Sequence, residues 1–218
     1  MSRKSFEGSS TDKFAAMRAR MVERQLRSRG IDDERVLQAM GEIPRERFVA
    51  ESERARAYDD CALPIGDGQT ISQPWIVASM AALLELTGPE RVLEVGTGSG
   101  YAAAVLSRLC SHVVTIERRE PLARAAQRTL GELGIRNVEV RTGDGSAGVP
   151  DRAPFDAIVV TAAADAGPPP ALLRQLAPGA PLVCPIERRR HERLVRVRDG
   201  VEETIAPVRF VPLVEGGS

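Results

Sequence analysis

The chain has 218 residues, of which 43% are hydrophobic and 28% charged, so it is long enough to form one compact domain with a sizeable core. Thirty Lys and Arg residues balance thirty Asp and Glu residues, and this zero net charge gives no basic footprint for nucleic acid. The chain has three cysteines without CxxC spacing, which argues against disulfides, and two histidines, which argues against a His-based metal site. It has no apolar run resembling a signal peptide or a membrane span, which argues against membrane insertion. We expect a soluble, cytoplasmic monomer with neither a metal nor a nucleic-acid partner.

The N-terminal part of the chain has a helical pattern. Residues 1–12 are rich in Ser, Gly and charge, and we expect them to be flexible. Apolar residues then recur with a period of about 3.6 up to Gly30, which predicts an amphipathic helix that ends there. A second short helix should follow, capped by Asp32 or Asp33 and ended by Pro44.

The next segment, residues 44–71, carries Pro and Gly with little periodicity, which predicts an irregular region that is functional or contains short elements with no readable pattern. It leads into GQTISQPW and then changes abruptly to the apolar run IVASMAALLEL. Ser72 or Gln73 would end the loop, Pro74 suits the first turn of a helix, and the Ser72 hydroxyl suits its cap. This cap leaves the other polar side chains unexplained. We assign residues 13–85 to one N-terminal, largely helical region.

The rest of the chain alternates short β-rich runs with helical ones, which predicts a parallel sheet with helices on both faces. The last runs, LVRVRD and TIAPVRFVPL, suggest two more strands joined at Asp199-Gly200. We predict an α/β fold in a single domain, residues 1–218: a doubly wound, Rossmann-like core in residues 86–190, an N-terminal helical subdomain, and extra C-terminal strands in residues 191–218. The predicted strands are 91–95, 112–117, 137–142, 155–161 and 181–186, and the predicted helices are 100–110, 120–133 and 170–176.

The most informative local motif is EVGTGSGY, where a buried strand runs into glycines and then into a helix. Such a turn lets a ligand approach the backbone closely at the helix N-terminus. The spacing is GxGxG, because Tyr101 stands where the dinucleotide fingerprint GxGxxG needs a glycine. The carboxylate of Glu94 would repel a pyrophosphate but would favour a cationic ligand. The candidate residues here are Glu94, Gly96, Thr97, Gly98, Ser99 and Gly100.

Two further acidic positions follow the next predicted strands. Glu117 ends the second strand, where a carboxylate can accept both ribose hydroxyls, and Asp144-Gly145 follows the third. Doubly wound sheets bind ligands at this edge, outside the carboxyl ends of the strands. A nucleoside with a cationic group suits these acids better than a dinucleotide, and S-adenosylmethionine is the common ligand of that kind. The alternative is that Glu94, Glu117 and Asp144 are unrelated surface or capping acids.

Several blocks of the sequence, in the same order, resemble the protein-L-isoaspartate O-methyltransferase family. They are AYDDCALPIGDGQTISQP, RVLEVGTGSGY, TIER, GDG, FDAIVVTAAA, QLAPGAPLVCPI and VRFVPL, within roughly residues 20–213. The resemblance implies that a methyl group passes from S-adenosylmethionine to the α-carboxylate of an L-isoaspartyl residue in a damaged protein or peptide, leaving S-adenosylhomocysteine. The ester then closes to a succinimide, whose hydrolysis partly restores aspartate.

The resemblance also implies roles for individual residues. Ser72 matches the family's active-site serine, Thr70 and Ile71 belong to the same substrate-side block, and Val211 and Pro212 match a C-terminal strand near the substrate. The implied cofactor residues are the loop of Glu94, Gly96, Thr97, Gly98, Ser99 and Gly100, the ribose acid Glu117, and the adenine-side pair Asp144 and Gly145.

The implied chemistry agrees with the residue inventory. A carboxylate is already ionised at neutral pH, so it can be methylated without a general base, and a scarcity of His is expected. The Ser72 hydroxyl could donate to one carboxylate oxygen and leave the other free to attack. Two departures from the family pattern are Glu187 in place of a glycine and Trp75 in place of Tyr or His. The departures around Glu187 leave open a relative that methylates an aspartate of a biosynthetic peptide.

Other functional classes fit less well. An N-methyltransferase acting on nucleic acid or glutamine would need a polar-Pro-Pro-aromatic motif where this chain has VTAAADAGPP. A nicotinamide oxidoreductase would need GxGxxG, and a noncatalytic binding module would be expected to have lost cofactor residues. We interpret the ERRRHER run as a solvated hairpin turn and Cys61 as an inert thiol.

Overall fold

The computed structural model of the protein describes residues 7–214 and residue 216, with side chains from residue 13 onward. The expectation of flexibility for residues 1–6 lies outside the described residues, whereas residues 7–12 begin the first helix, α1 (Glu7–Met21). A π-helical turn, Val22–Leu26, and a 3₁₀ turn, Arg27–Arg29, continue α1 and place Val22 and Leu26 in the core. The helical segment ends, as predicted, at Gly30, whose φ is 88°.

The second helix, α2 (Glu34–Glu42), has the predicted cap. The Asp33 carboxylate accepts hydrogen bonds from the amides of Arg35 and Val36, at 2.9 and 3.2 Å. These bonds satisfy two of the amides that a helix N-terminus leaves unpaired.

The segment of residues 44–71 contains short regular elements, which is one of the two expected alternatives. Two 3₁₀ helices, Arg45–Phe48 and Glu51–Arg56, precede an antiparallel hairpin of β1 (Leu63–Gly66) and β2 (Gln69–Ile71). The sequence did not locate this hairpin, because strands of four and three residues are too short to show an alternating pattern.

The next helix, α3 (Pro74–Leu83), begins one residue later than a Ser72 cap requires. A residue before proline avoids the helical region, so Gln73, with ψ at 140°, occupies the cap position and makes no side-chain cap bond. The expectation that Ser72 caps this helix is therefore wrong. The Ser72 hydroxyl remains available for another role.

The central sheet confirms the predicted doubly wound α/β fold. Its strands are β3 (Arg91–Val95), β4 (His112–Glu117), β5 (Val138–Thr142), β6 (Ala157–Val160), β7 (Ala164–Asp165), β8 (Leu182–Arg188), β9 (His191–Arg198) and β10 (Val201–Pro207). They run in the order β10-β9-β8-β6-β3-β4-β5, and the short β7 pairs with β8. The pairs from β8 to β5 are parallel, whereas β8-β9 and β9-β10 are antiparallel. The chain builds outward from β3 to β5 and then returns to place β6 on the other side of β3, so the topological switch point lies between β3 and β6.

Apolar side chains fill both faces of this sheet. Val92 and Val113 belong to the larger core cluster with residues of α2, α3 and α4 (Tyr101–Leu106), while Leu93 and Val114 belong to the second cluster. Such runs without polar alternation are expected of parallel strands buried on both sides. The remaining helices are α5 (Glu120–Glu132) and α6 (Pro170–Leu173), and α4 and α6 are shorter than predicted.

The predicted last strand is only partly correct. After Pro207 the ladder with β9 ends, and the chain turns back across the carboxyl edge of the sheet. There the Ala163 amide donates to the Val211 carbonyl at 2.8 Å, and the Leu213 amide donates to the Ala163 carbonyl at 2.7 Å. Residues 208–214 therefore form a wall beside the switch point.

Candidate active site

A cavity opens at the carboxyl ends of the parallel strands. Its wall includes the glycine-rich turn after β3, the end of β4, the turn after β5, and Thr161 after β6. The predicted residues that line it are Gly96, Gly98, Glu117, Gly145, Thr70, Val211 and Pro212. The expectation that widely separated segments meet at this edge is confirmed in the positions of these residues.

The floor of this cavity requires two glycines. Gly96 has φ of 98°, and a Cβ there would overlap the Thr161 hydroxyl, which donates to the Gly96 carbonyl at 2.6 Å. A Cβ on Gly145 would lie 2.5 Å from Cγ1 of Val95. A side chain at either position would therefore displace residues of the cavity wall.

Glu117 connects the turn to the neighbouring strand. Its carboxylate accepts from the Gly98 amide at 2.9 Å through Oε2 and from the Arg119 amide at 3.0 Å through Oε1. Each carboxylate oxygen can accept a second hydrogen bond, so capacity for two hydroxyl groups remains. This geometry suits the predicted role of a ribose acid.

Glu94 is fully buried beneath the turn and does not line the cavity. Its Oε2 accepts from the Thr115 hydroxyl at 2.5 Å, and Thr115 is 2.6 Å from the Thr97 hydroxyl. Its Oε1 has no partner among the described residues. The pKa of Glu94 is raised to about 8, mainly by burial. The hydrogen bond from Thr115 lowers this pKa, and the negative charge of nearby Glu117 raises it further.

Asp144 caps the 3₁₀ turn Gly145–Ala147, through hydrogen bonds to the amide and hydroxyl of Ser146. Burial raises the pKa of Asp144, but the hydrogen bonds from Ser146 and from the Gly216 amide outweigh it, so the pKa lies below its usual value. The carboxylate therefore stays ionised at neutral pH. The predicted cofactor residues that lie outside the cavity wall are Glu94, Thr97, Ser99, Gly100 and Asp144.

A second cavity adjoins the first and contains Ser72. Thr70, Thr161 and Val211 line both cavities, so the two spaces meet at these side chains. The Ser72 hydroxyl makes no hydrogen bond to any described residue, and its carbonyl accepts from Nη2 of Arg45 at 2.7 Å. Ile71, in contrast, is buried in the core and lines neither cavity.

Three residues of this region were not predicted from the sequence. Thr161 ends a predicted strand, and the strand-end argument used for Glu117 could have found it. Arg209 lines the second cavity from the chain segment after β10, and buried Arg45 holds Ser72 from behind. No local pattern distinguishes these two arginines from solvated ones.

The fold and the two joined cavities define an S-adenosylmethionine-dependent methyltransferase with a Rossmann-like sheet. The family model described as protein-L-isoaspartate(D-aspartate) O-methyltransferase matches residues 17–218. The chain therefore belongs to that family, as its sequence blocks predicted. None of the helices in the described part of the chain has the length and hydropathy needed to cross a membrane.

Individual relatives agree with this assignment. A protein-L-isoaspartate O-methyltransferase from a Synechococcus strain is 51% identical, over 94% of this chain and 88% of its own length. A solved protein-L-isoaspartate O-methyltransferase with 32% identity superimposes with a TM-score of 0.82 over 92% of this chain and 66% of its own, longer chain. A Plasmodium falciparum structure assigned to the same enzyme, in complex with S-adenosyl-L-homocysteine, has 26% identity and a TM-score of 0.80 over 91% of this chain and 99% of its own.

Proposed function

We propose that the protein transfers a methyl group from S-adenosylmethionine to the α-carboxylate of L-isoaspartyl residues in damaged proteins and peptides. This step starts repair to aspartate through a succinimide. The observation that carries the proposal is the junction of the two cavities at Thr70, Thr161 and Val211. A donor in the first cavity and a carboxylate near Ser72 in the second would meet there.

The residues of the first cavity fit this cofactor. Gly96 and Gly145 line it without side chains, because a Cβ at either would displace Thr161 or Val95, and Glu117 keeps acceptor capacity for ribose hydroxyls. The unpartnered Oε1 of Glu94 lies beneath the turn, and burial keeps this carboxyl protonated in the ligand-free protein; a sulfonium cation above the turn would favour its ionised form. We assign Thr97, Ser99 and Gly100 to the support of this turn and Asp144 to the adenine side. Bound S-adenosylmethionine would supply an electrophilic methyl group on a sulfonium.

The protein's part in the reaction is to orient the substrate and exclude water. A carboxylate needs no general base at neutral pH, and the described residues of both cavities include no histidine. The Ser72 hydroxyl would donate to one carboxylate oxygen and leave the other oxygen free to attack. The Thr161 hydroxyl is already used, because it donates to backbone carbonyls of the turn, so its role is to support Gly96.

The rival substrate, an aspartate of a biosynthetic peptide, loses the support that rested on Glu187. Glu187 lies on β8, pairs with Glu192 of β9, and lines neither cavity, so its departure from the family pattern does not touch the site. Trp75 does line the second cavity. Monomeric state and cytoplasmic location stay predictions.

A methylation assay with matched peptides tests the proposal. One peptide carries L-isoaspartate, and the other carries normal aspartate at the same position. We expect methyl transfer to the isoaspartyl peptide alone. Methylation of only the aspartyl peptide would overturn the proposal in favour of the rival.

A further inference from the structure

The second cavity has an unbalanced charge. Arg29 and Arg209 line it, and none of the described residues in its wall is acidic. A peptide that enters this space therefore meets positive potential, which favours a carboxylate.

One of the two arginines is already paired. Arg29 donates to the Asp60 carboxylate at 2.9 and 3.2 Å, and its guanidinium lies 4.9 Å from the centre of the Trp75 ring. Gln73 donates to the same carboxylate at 2.7 Å. Arg29 is thus held at the rim with its charge largely balanced by Asp60.

Arg209 is different, because its backbone is held while its side chain is not. The Val208 amide donates to the Glu192 carbonyl at 3.1 Å, and the Phe210 amide donates to the Glu192 carboxylate at 2.5 Å. The Arg209 side chain is exposed and forms no hydrogen bond or ion pair with the described residues. A fixed backbone beside a cavity, carrying an unpaired guanidinium, is suited to bind an anion in the cavity.

We propose that Arg209 binds an acidic side chain that flanks the isoaspartyl residue of the peptide substrate, and so sets a sequence preference. The inference rests on the proposed function, since it assigns the second cavity to the peptide. The carboxylate that is methylated is a less suitable partner for Arg209. A guanidinium that paired with both oxygens of this carboxylate would withdraw charge from the attacking oxygen. The hydroxyl of the half-buried Ser72 can donate to only one of the two oxygens. Arg209 is also more exposed than Ser72, as suits a contact at the cavity mouth.

The chain carries its own probe of this cavity. Trp75 is its one tryptophan and lines the second cavity, so its fluorescence reports peptide binding there. Protein saturated with S-adenosylhomocysteine would be titrated with two isoaspartyl peptides that differ only by Glu or Gln next to the isoaspartyl residue. The variants are R209Q and the control R128Q, which removes an exposed arginine of α5 outside both cavities.

We expect wild type and R128Q to bind the Glu peptide about three- to tenfold more tightly than the Gln peptide, as one partly exposed ion pair allows. In R209Q this preference should disappear through weaker binding of the Glu peptide alone. KM values for methylation should show the same pattern, and added salt should reduce the wild-type preference.

Two results would overturn the inference. If R209Q weakened the binding of both peptides equally, Arg209 would be assigned to the reacting carboxylate. If R209Q bound both peptides as tightly as the wild type does, Arg209 would have no role in recognition. Failure of the proposed function is distinguishable, because wild type would then methylate neither isoaspartyl peptide.

Discussion

Replacing Glu94 by Gln should change how the stability of the ligand-free protein depends on pH. Glu94 is fully buried, and its pKa is raised by burial from 4.5 to about 8. The unfolded chain releases this proton near the lower value, while the folded chain retains it until the upper one. The stability that the protonated carboxyl contributes is therefore fully present below the unfolded pKa and is lost as pH rises through the folded pKa.

The size of this effect follows from the two pKa values. The interval from 4.5 to about 8, at about 1.4 kcal/mol per pH unit, corresponds to roughly 5 kcal/mol of unfolding free energy. Gln does not titrate, and its amide oxygen can still accept from Thr115. The E94Q protein should thus gain stability relative to wild type between pH 5 and pH 8, even if its amide N–H groups, lacking an acceptor, cost about 1 to 3 kcal/mol at every pH.

Urea unfolding at several pH values measures this difference. The free energy of unfolding of the wild type should fall with pH more steeply than that of E94Q. The difference in slope should reach about 1.4 kcal/mol per pH unit, which corresponds to one proton per molecule. The E187Q variant removes an exposed carboxylate of β8, whose side chain makes no hydrogen bond or ion pair with the described residues, and controls for the loss of one formal charge. Parallel wild-type and E94Q curves would refute the reasoning, because Glu94 would then ionise in the folded protein as readily as in the unfolded chain.

Three further substitutions test the site itself. S72A should lower kcat while calorimetric affinity for S-adenosylhomocysteine stays near wild type, and loss of both together would make Ser72 mainly structural. E117A should weaken that affinity by about 1 to 3 kcal/mol, since it removes a buried acceptor that also holds the Gly98 amide; unchanged affinity would show that Glu117 does not contact the ribose. G96A should abolish binding, because its Cβ would displace Thr161 in the cavity wall. A variant that binds normally with an unchanged Tm would show that Gly96 is not needed beside Thr161.

The ligand edge of the sheet could be predicted from the sequence because it follows from topology. Apolar runs identified β3, β4 and β6, and their alternation with helices forces the carboxyl ends to share one edge. Gly96, Glu117 and Gly145 were placed correctly by that argument. The substrate side depended on the family resemblance, because the short β1–β2 hairpin has no readable period and the approach of residues 208–214 to Ala163 is a contact between distant parts of the chain.

Arg45 shows why a residue that supports the second cavity has no local sequence signature. Its guanidinium is fully buried, Nη1 has no partner among the described residues, and burial lowers its pKa. It lies 4.9 Å from the Tyr101 ring and donates to the carbonyls of Ala57 and Ser72, each at 2.7 Å. A methionine would avoid the desolvation of a charge, but it would leave two carbonyls unpaired at about 1 to 3 kcal/mol each. Because a planar, five-donor group can bind both carbonyls at once, an arginine at this position fixes the Ser72 backbone despite the cost of burial.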